Sequence, residues 1–154
     1  MLFRSEPASK DEAFASELMG LANVILTPHV GGSTEEAQAA IAEDVASKFI
    51  KFLNVGTTTG AVNVPEVELP EQDAWKDGAA VRRHRILHFH RNVPGVLSKL
   101  HGVVASRGAN IWAEYLRTNE QVGYVVLDVD PMEGTELVDE LRAMPETVRV
   151  RVLY

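Results

Sequence analysis

The residues of this chain able to do chemistry gather around its histidines, five in all. His29 stands in Thr27-Pro28-His29-Val30-Gly31-Gly32-Ser33, after a short apolar run and before a helix start. An imidazole there titrates near neutrality and can serve as general acid or base. Gly31 and Gly32 would let backbone N–H groups approach a bound group closely. A loop histidine beside an ordinary glycine turn is the alternative, and the local residues leave both readings open.

The other four histidines lie between 84 and 101, and three of them (His84, His88 and His90) share one face of a predicted strand. Imidazoles alone can hold a metal ion, but no carboxylate or thiol recurs beside them with ligand spacing. No metal site is therefore expected, and the strand reads as carrying its polar residues outward. His90, Asn92 and Asn110 make a different set. They stand at the ends of two neighbouring strands, and an imidazole with two amides offers donors and acceptors suited to an amino acid's carboxylate and ammonium groups. Gly95 would let the adjoining turn approach the same ligand. Trp112, Tyr115 and Tyr124 read as sheet packing, and Glu133, Glu136, Asp139 and Glu140 as a solvated helix face.

The elements that must position these groups follow from periodicity. Asn23–Thr27 is a short apolar run closed by Pro28, which predicts a buried strand. Ser33 with Glu36 predicts a capping box. Behind it Ile41, Val45 and Phe49 recur every fourth residue, predicting a long amphipathic helix over 33–53. Residues 56–80, rich in Gly, Thr, Pro and acids, read as a linker with at most two short extended pieces. From 84 onward the pattern is regular: a strand over 84–90 and a helix opened by Pro94. Two strands (110–117 and 121–130) then flank a polar turn, followed by a helix through Leu137 and Leu141 and a last strand of alternating valines. That β-α-β-β-α-β order predicts an α+β, ferredoxin-like sandwich: a four-stranded antiparallel sheet, two helices on one face, the other face and both edges open.

Composition narrows the function. Of 154 residues, 15 are Lys or Arg and 22 Asp or Glu, a formal charge of −7. With no basic run, binding to nucleic acid or to an anionic membrane surface is not expected. The absence of cysteine removes disulfides and thiol nucleophiles. No apolar run is long enough to span a bilayer and the N-terminus has no secretory pattern, so a cytoplasmic protein is expected.

Taken together, LTPHVGGSTEEAQ, AVNVPEV, HFHRNVPGVLSKL, RGANIWAEYL, VGYVVLDVD and the terminal RVRVLY resemble the C-terminal part of the D-3-phosphoglycerate dehydrogenases, of the D-2-hydroxyacid dehydrogenase family, in the form that carries a regulatory ACT domain. The resemblance covers nearly the whole chain. It implies NAD-dependent oxidation of 3-phospho-D-glycerate to 3-phosphohydroxypyruvate, in L-serine biosynthesis, by the parent enzyme. His29 matches the catalytic acid/base, and His29, Val30, Gly31 and Gly32 match the stretch lining the nicotinamide end of the cofactor. His90, Asn92 and Asn110 match the residues that hold L-serine, the feedback effector, where two ACT domains join their sheets side by side as a homodimer.

The same resemblance implies boundaries: 1–32 as the end of an NAD-binding domain, 33–80 as long helix, substrate-domain remnant and linker, and 81–154 as the ACT domain. The family's Gly-rich dinucleotide turn is missing, as are its substrate arginine and the glutamate that orients the histidine. The expectation is a truncated chain that binds no NAD and turns over no substrate alone, unless a separate N-terminal dehydrogenase chain completes it. A purely structural oligomerisation module is the third reading. Arg91 stands where some relatives carry an acid, which bears on effector affinity.

Overall fold

A helix of twenty residues, α1 (Glu35–Asn54), is the longest element of the protein, whose fold comes from a computed structural model describing residues 13–26, 31–72, 75–76, 79–80 and 83–154. Contacts divide the chain into two units, Met1–Ala42 and Glu43–Tyr154.

In the first unit, residues 13–26 run through tight turns such as Met19 N–H to Ser16 O and Val24 N–H to Leu21 O. The strand predicted over Asn23–Thr27 does not form in its described part, 23–26, and Ile25 is 90 % exposed. A buried strand needs hydrogen-bonded neighbours, and the described residues of this unit supply none. Helix α1 starts one residue later than the predicted capping box. Thr34, not Ser33, is the cap: its Oγ1 accepts the Ala37 N–H at 3.1 Å and its carbonyl the Gln38 N–H, leaving Glu36 inside the first turn. No residue of α1 is buried, and Ile41, Val45, Phe49, Ile50 and Leu53 leave its apolar side exposed.

The second unit is built on the sheet order β4-β5-β3-β6, every neighbouring pair antiparallel. In chain order it runs β3 (His84–Arg91), α2 (Val96–Ser106), β4 (Ile111–Thr118), β5 (Val122–Val129), α3 (Glu136–Ala143) and β6 (Thr147–Leu153). That is the predicted β-α-β-β-α-β arrangement, with boundaries shifted by a residue. Ahead of it, β1 (Trp75–Lys76) and β2 (Ala79–Ala80) form a small antiparallel pair. Leu100 and Val104 of α2 and Leu141 of α3 pack on Ile86, Val125, Leu127 and Val150 to make the main core. Each such fully buried aliphatic side chain contributes about 2 kcal/mol.

The face predicted to stay open is covered, and the covering comes from the stretch read as linker. Val67 and Leu69 pack on Leu87, Tyr124 and Val126. Thr57 and Thr58 hold that segment down: their hydroxyls accept the N–H groups of Leu69 and Val67, and Thr58 Oγ1 donates to Pro65 O. Burial alternates over Pro65, Val67 and Leu69, a period of two that suits a half-buried extended chain. Beneath it Arg85, 1 % exposed, makes a bidentate ion pair with Asp128 (2.7 and 2.8 Å) and donates to the carbonyls of Val55 and Pro70. Gln72 donates to the same carboxylate. Tyr124 stacks on Phe89, with centroids 4.0 Å apart, and donates its phenol proton to Gly56 O at 2.6 Å.

Candidate functional site

The face carrying His88 and His90 points at the helices, so the expected polar outer face is a buried inner one. His88 is 0 % exposed and His90 2 %. Burial lowers both imidazoles, His88 to about 4, with the charge of His90 as a second cause. Among the described residues no three His, Cys, Asp or Glu side chains come together as a metal site.

His90 forms the floor of a cavity of about 320 Å³ at the end of the sheet. Asn92, Val93, Pro94 and Gly95 rim it, the first turn of α2 (Val96, Leu97, Ser98) closes one side, and Leu116 and Thr118 of β4 the other. Gly95 takes φ +88, a left-handed conformation that favours glycine, and aims the helix start at the cavity. No side chain caps α2, so the N–H groups of its first turn are free to meet an anion. Asn92 Nδ2 donates to Asn119 O at 2.8 Å, which orients the amide and leaves Oδ1 as an acceptor. Nδ1 of His90 is buried and has no partner. An anion-facing helix end and an amide acceptor, set over the His90 ring, can together recognise a small zwitterion.

The set predicted to act together is split. His90 and Asn92 line the cavity, where β3 ends beside the start of β5. Asn110 precedes Ile111, which pairs with Val129 at the far end of β5, about 24 Å away at the usual rise per residue. There its N–H donates to Asp130 Oδ2 at 3.0 Å, beside the Trp112 indole, which donates to Oδ1. Hydrogen bonding by Trp112 and then by the Asn110 backbone holds the Asp130 carboxyl below its usual value. Trp112 itself is half exposed under the Arg83 guanidinium, 4.6 Å from the ring centroid, whereas Tyr124 packs in the sheet as expected.

Two features of the site were not singled out by sequence reasoning. Gly123 of β5 pairs with His90, and a Cβ there would fall 2.2 Å from His90 Nε2. Thr147 faces His90 across a register shift between β3 and β6, and its hydroxyl bonds the His88 ring. Neither residue type is distinctive along the chain; only the cross-strand register selects it.

Of the other predicted site, His29 and Val30 lie outside the described residues. Gly31 and Gly32 form a turn whose Gly32 carbonyl accepts from the Gln38 amide. A Cβ on Gly31 would meet nothing within 4 Å, and one on Gly32 only Ile41 Cδ1 at 3.8 Å.

Comparison with known proteins gives these features a context. Residues 86–149 match the family described as the AHAS small subunit-like ACT domain. The D-3-phosphoglycerate dehydrogenase of Haemophilus influenzae is 46 % identical over 153 residues, covering 99 % of this chain and 35 % of that protein. The Escherichia coli K12 enzyme is 43 % identical over 155 residues, covering 99 % and 36 %. Among solved structures, the ACT domain of a Chlorobium tepidum GTP pyrophosphokinase aligns with a TM-score of 0.42 at 20 % identity, over 46 % of this chain and 96 % of that one. The chain spans about a third of the length of the curated relatives it matches, and no helix among the described residues is long and apolar enough to cross a membrane. By sequence the chain is similar over almost its whole length to the C-terminal region of D-3-phosphoglycerate dehydrogenases, and its own residues 86–149 match an ACT-domain family model.

Proposed function

We propose that this chain is an effector-binding, dimerising module of a D-3-phosphoglycerate dehydrogenase, with L-serine as the effector. The observation that carries the reading is the cavity joining His90 and Asn92 to the uncapped start of α2. The serine carboxylate would take the free N–H groups of α2, its ammonium Asn92 Oδ1, and its hydroxyl the polar groups of His90, Ser98 or Thr118.

The dimer supplies what one chain separates. β4 is an edge strand, and an exposed edge is a template for pairing with another strand. Twofold antiparallel pairing of β4 with its copy sets the start of one strand beside the end of the other. Asn110 of one chain then reaches the cavity wall that Leu116 and Thr118 form in its partner, so each dimer holds two shared sites.

The parent reaction belongs to the same proposal. His29 would exchange the proton on the substrate's C2 oxygen, and the stretch from His29 to Gly32 would face the nicotinamide. The remaining two thirds of a full-length relative would carry the rest of that site, in a cytoplasmic enzyme. A second reading rests on α1, whose apolar side has nothing buried on it: the chain assembles with a separate N-terminal dehydrogenase chain.

Isothermal titration of the purified chain with L-serine, with glycine and phosphoserine as controls, tests the effector reading. Saturable heat with serine, lost on Asn92→Ala, is expected. No heat from a chain shown to be a folded dimer would overturn it. The second reading fails if mixing with the N-terminal part gives no NADH-linked activity.

A further inference from the structure

The recognition scheme above uses His90 and leaves His88 without a role, although His88 is wholly buried with an unpartnered Nδ1. Its other nitrogen, Nε2, lies 2.7 Å from Thr147 Oγ1. The Thr147 hydroxyl has one proton, and its 2.5 Å bond to Leu141 O uses it. Oγ1 therefore accepts from His88, which fixes His88 as the neutral Nε2–H tautomer with its ring plane set by the turn from α3 into β6. That ring stacks on His90, with centroids 5.4 Å apart and planes 22° from parallel.

Thr147 constrains His90 a second time. The ladder between β3 and β6 pairs Phe89 with Arg149 and then His90 with Thr147, so Val148 is the extra residue of a bulge opposite His90. Bulges re-aim the side chains beside them. On the other flank, Gly123 leaves room for the His90 ring and for nothing more. A leucine at position 88 could fill the same space without an orphaned nitrogen, but it could take no orientation from Thr147.

We propose that His88 and Thr147 are positioning residues: the Leu141–Thr147–His88 chain of hydrogen bonds holds the His90 ring in the orientation that faces the cavity. The link to effector affinity rests on the function proposed above; the link to the His90 ring does not. The pair to compare is Thr147→Val, which removes the hydroxyl at constant shape, and Thr147→Ser, which restores it. L-serine affinity is measured by titration calorimetry, and the side-chain nitrogen resonances of His90 are read without ligand, well below the melting temperature.

Thr147→Val is expected to weaken serine binding tenfold or more and to shift the His90 resonances. Thr147→Ser should stay within threefold of the unaltered chain, with His90 in place. A merely structural role would lower the melting temperature and leave both readouts unmoved, and that result overturns the proposal. If Thr147→Val does not fold, His88→Phe, which keeps the stacked ring and loses the donor, takes its place with the same expectations. If the unaltered chain binds no serine, the effector reading falls, and the His90 resonances alone decide the positioning role.

Discussion

Gly123 and His90 face each other across the β3–β5 ladder so closely that a methyl group on Gly123 would fall 2.2 Å from His90 Nε2. The backbone of one strand is thus the wall against which the imidazole of its neighbour rests. Whatever His90 recognises, its pose depends on a residue with no side chain.

Gly123→Ala should therefore displace the His90 ring. We expect L-serine binding at least tenfold weaker and a stability loss of about 1–3 kcal/mol from overpacking. Calorimetric titration and chemical denaturation on the same sample check both; normal affinity would mean the ring has another place to go.

The Arg85–Asp128 pair makes a second prediction. Both side chains are nearly fully buried and bidentate, so Asp128→Ala strands a buried guanidinium and should cost about 3–5 kcal/mol. The same change removes the acceptor of Gln72. Amide exchange at Val67 and Leu69, whose N–H groups bond the Thr58 and Thr57 hydroxyls, should quicken before the chain melts.

Acid should destabilise the fold through His88. Burial lowers this imidazole to about 4 from an ordinary 6.5, so the unfolded chain takes up its proton first as pH falls. Stability is complete above pH 6.5 and declines toward pH 4, by about 3 kcal/mol for this group. His90, lowered in the same direction, adds to the decline. Urea unfolding at pH 7.0, 5.5 and 4.5 should show it, and His88→Phe should flatten much of the slope.

The proposed shared sites predict complementation. Asn92→Ala and Asn110→Ala homodimers should each bind serine poorly. A mixed dimer combines both defects in one site and leaves the other intact. Mixing the two chains should restore binding in proportion to the mixed dimer formed; no recovery would place Asn110 outside the site.

The domain's element order was legible because its signals are local. Alternating valines over 148–152, Pro94 opening α2 and Leu137 with Leu141 on one helix face each announce an element within a few residues. The cap falls on Thr34, one position after the predicted Ser33, since two adjacent hydroxyl residues compete for the same first-turn N–H groups and only the backbone path chooses between them. The stretch 56–80 reads as a linker for a different reason. Pro and Gly mark breaks in secondary structure, but Val67 and Leu69 lie under no regular hydrogen-bond ladder and are held by two threonine hydroxyls.

The residues of the candidate site divide in the same way. His90, Asn92 and Gly95 are close along the chain, so sequence alone determined that they share one end of a strand and the start of a helix. Sequence also determined the strand, helix, strand order that builds the sheet, because hydrophobic period and turn residues act over short distances. Tertiary structure decided which face of β3 is buried, that Asn110 stands at the opposite end of the sheet from Asn92, and that Gly123 and Thr147 flank His90. Those facts depend on cross-strand register and on what covers each face, and both are set by contacts between residues tens of positions apart.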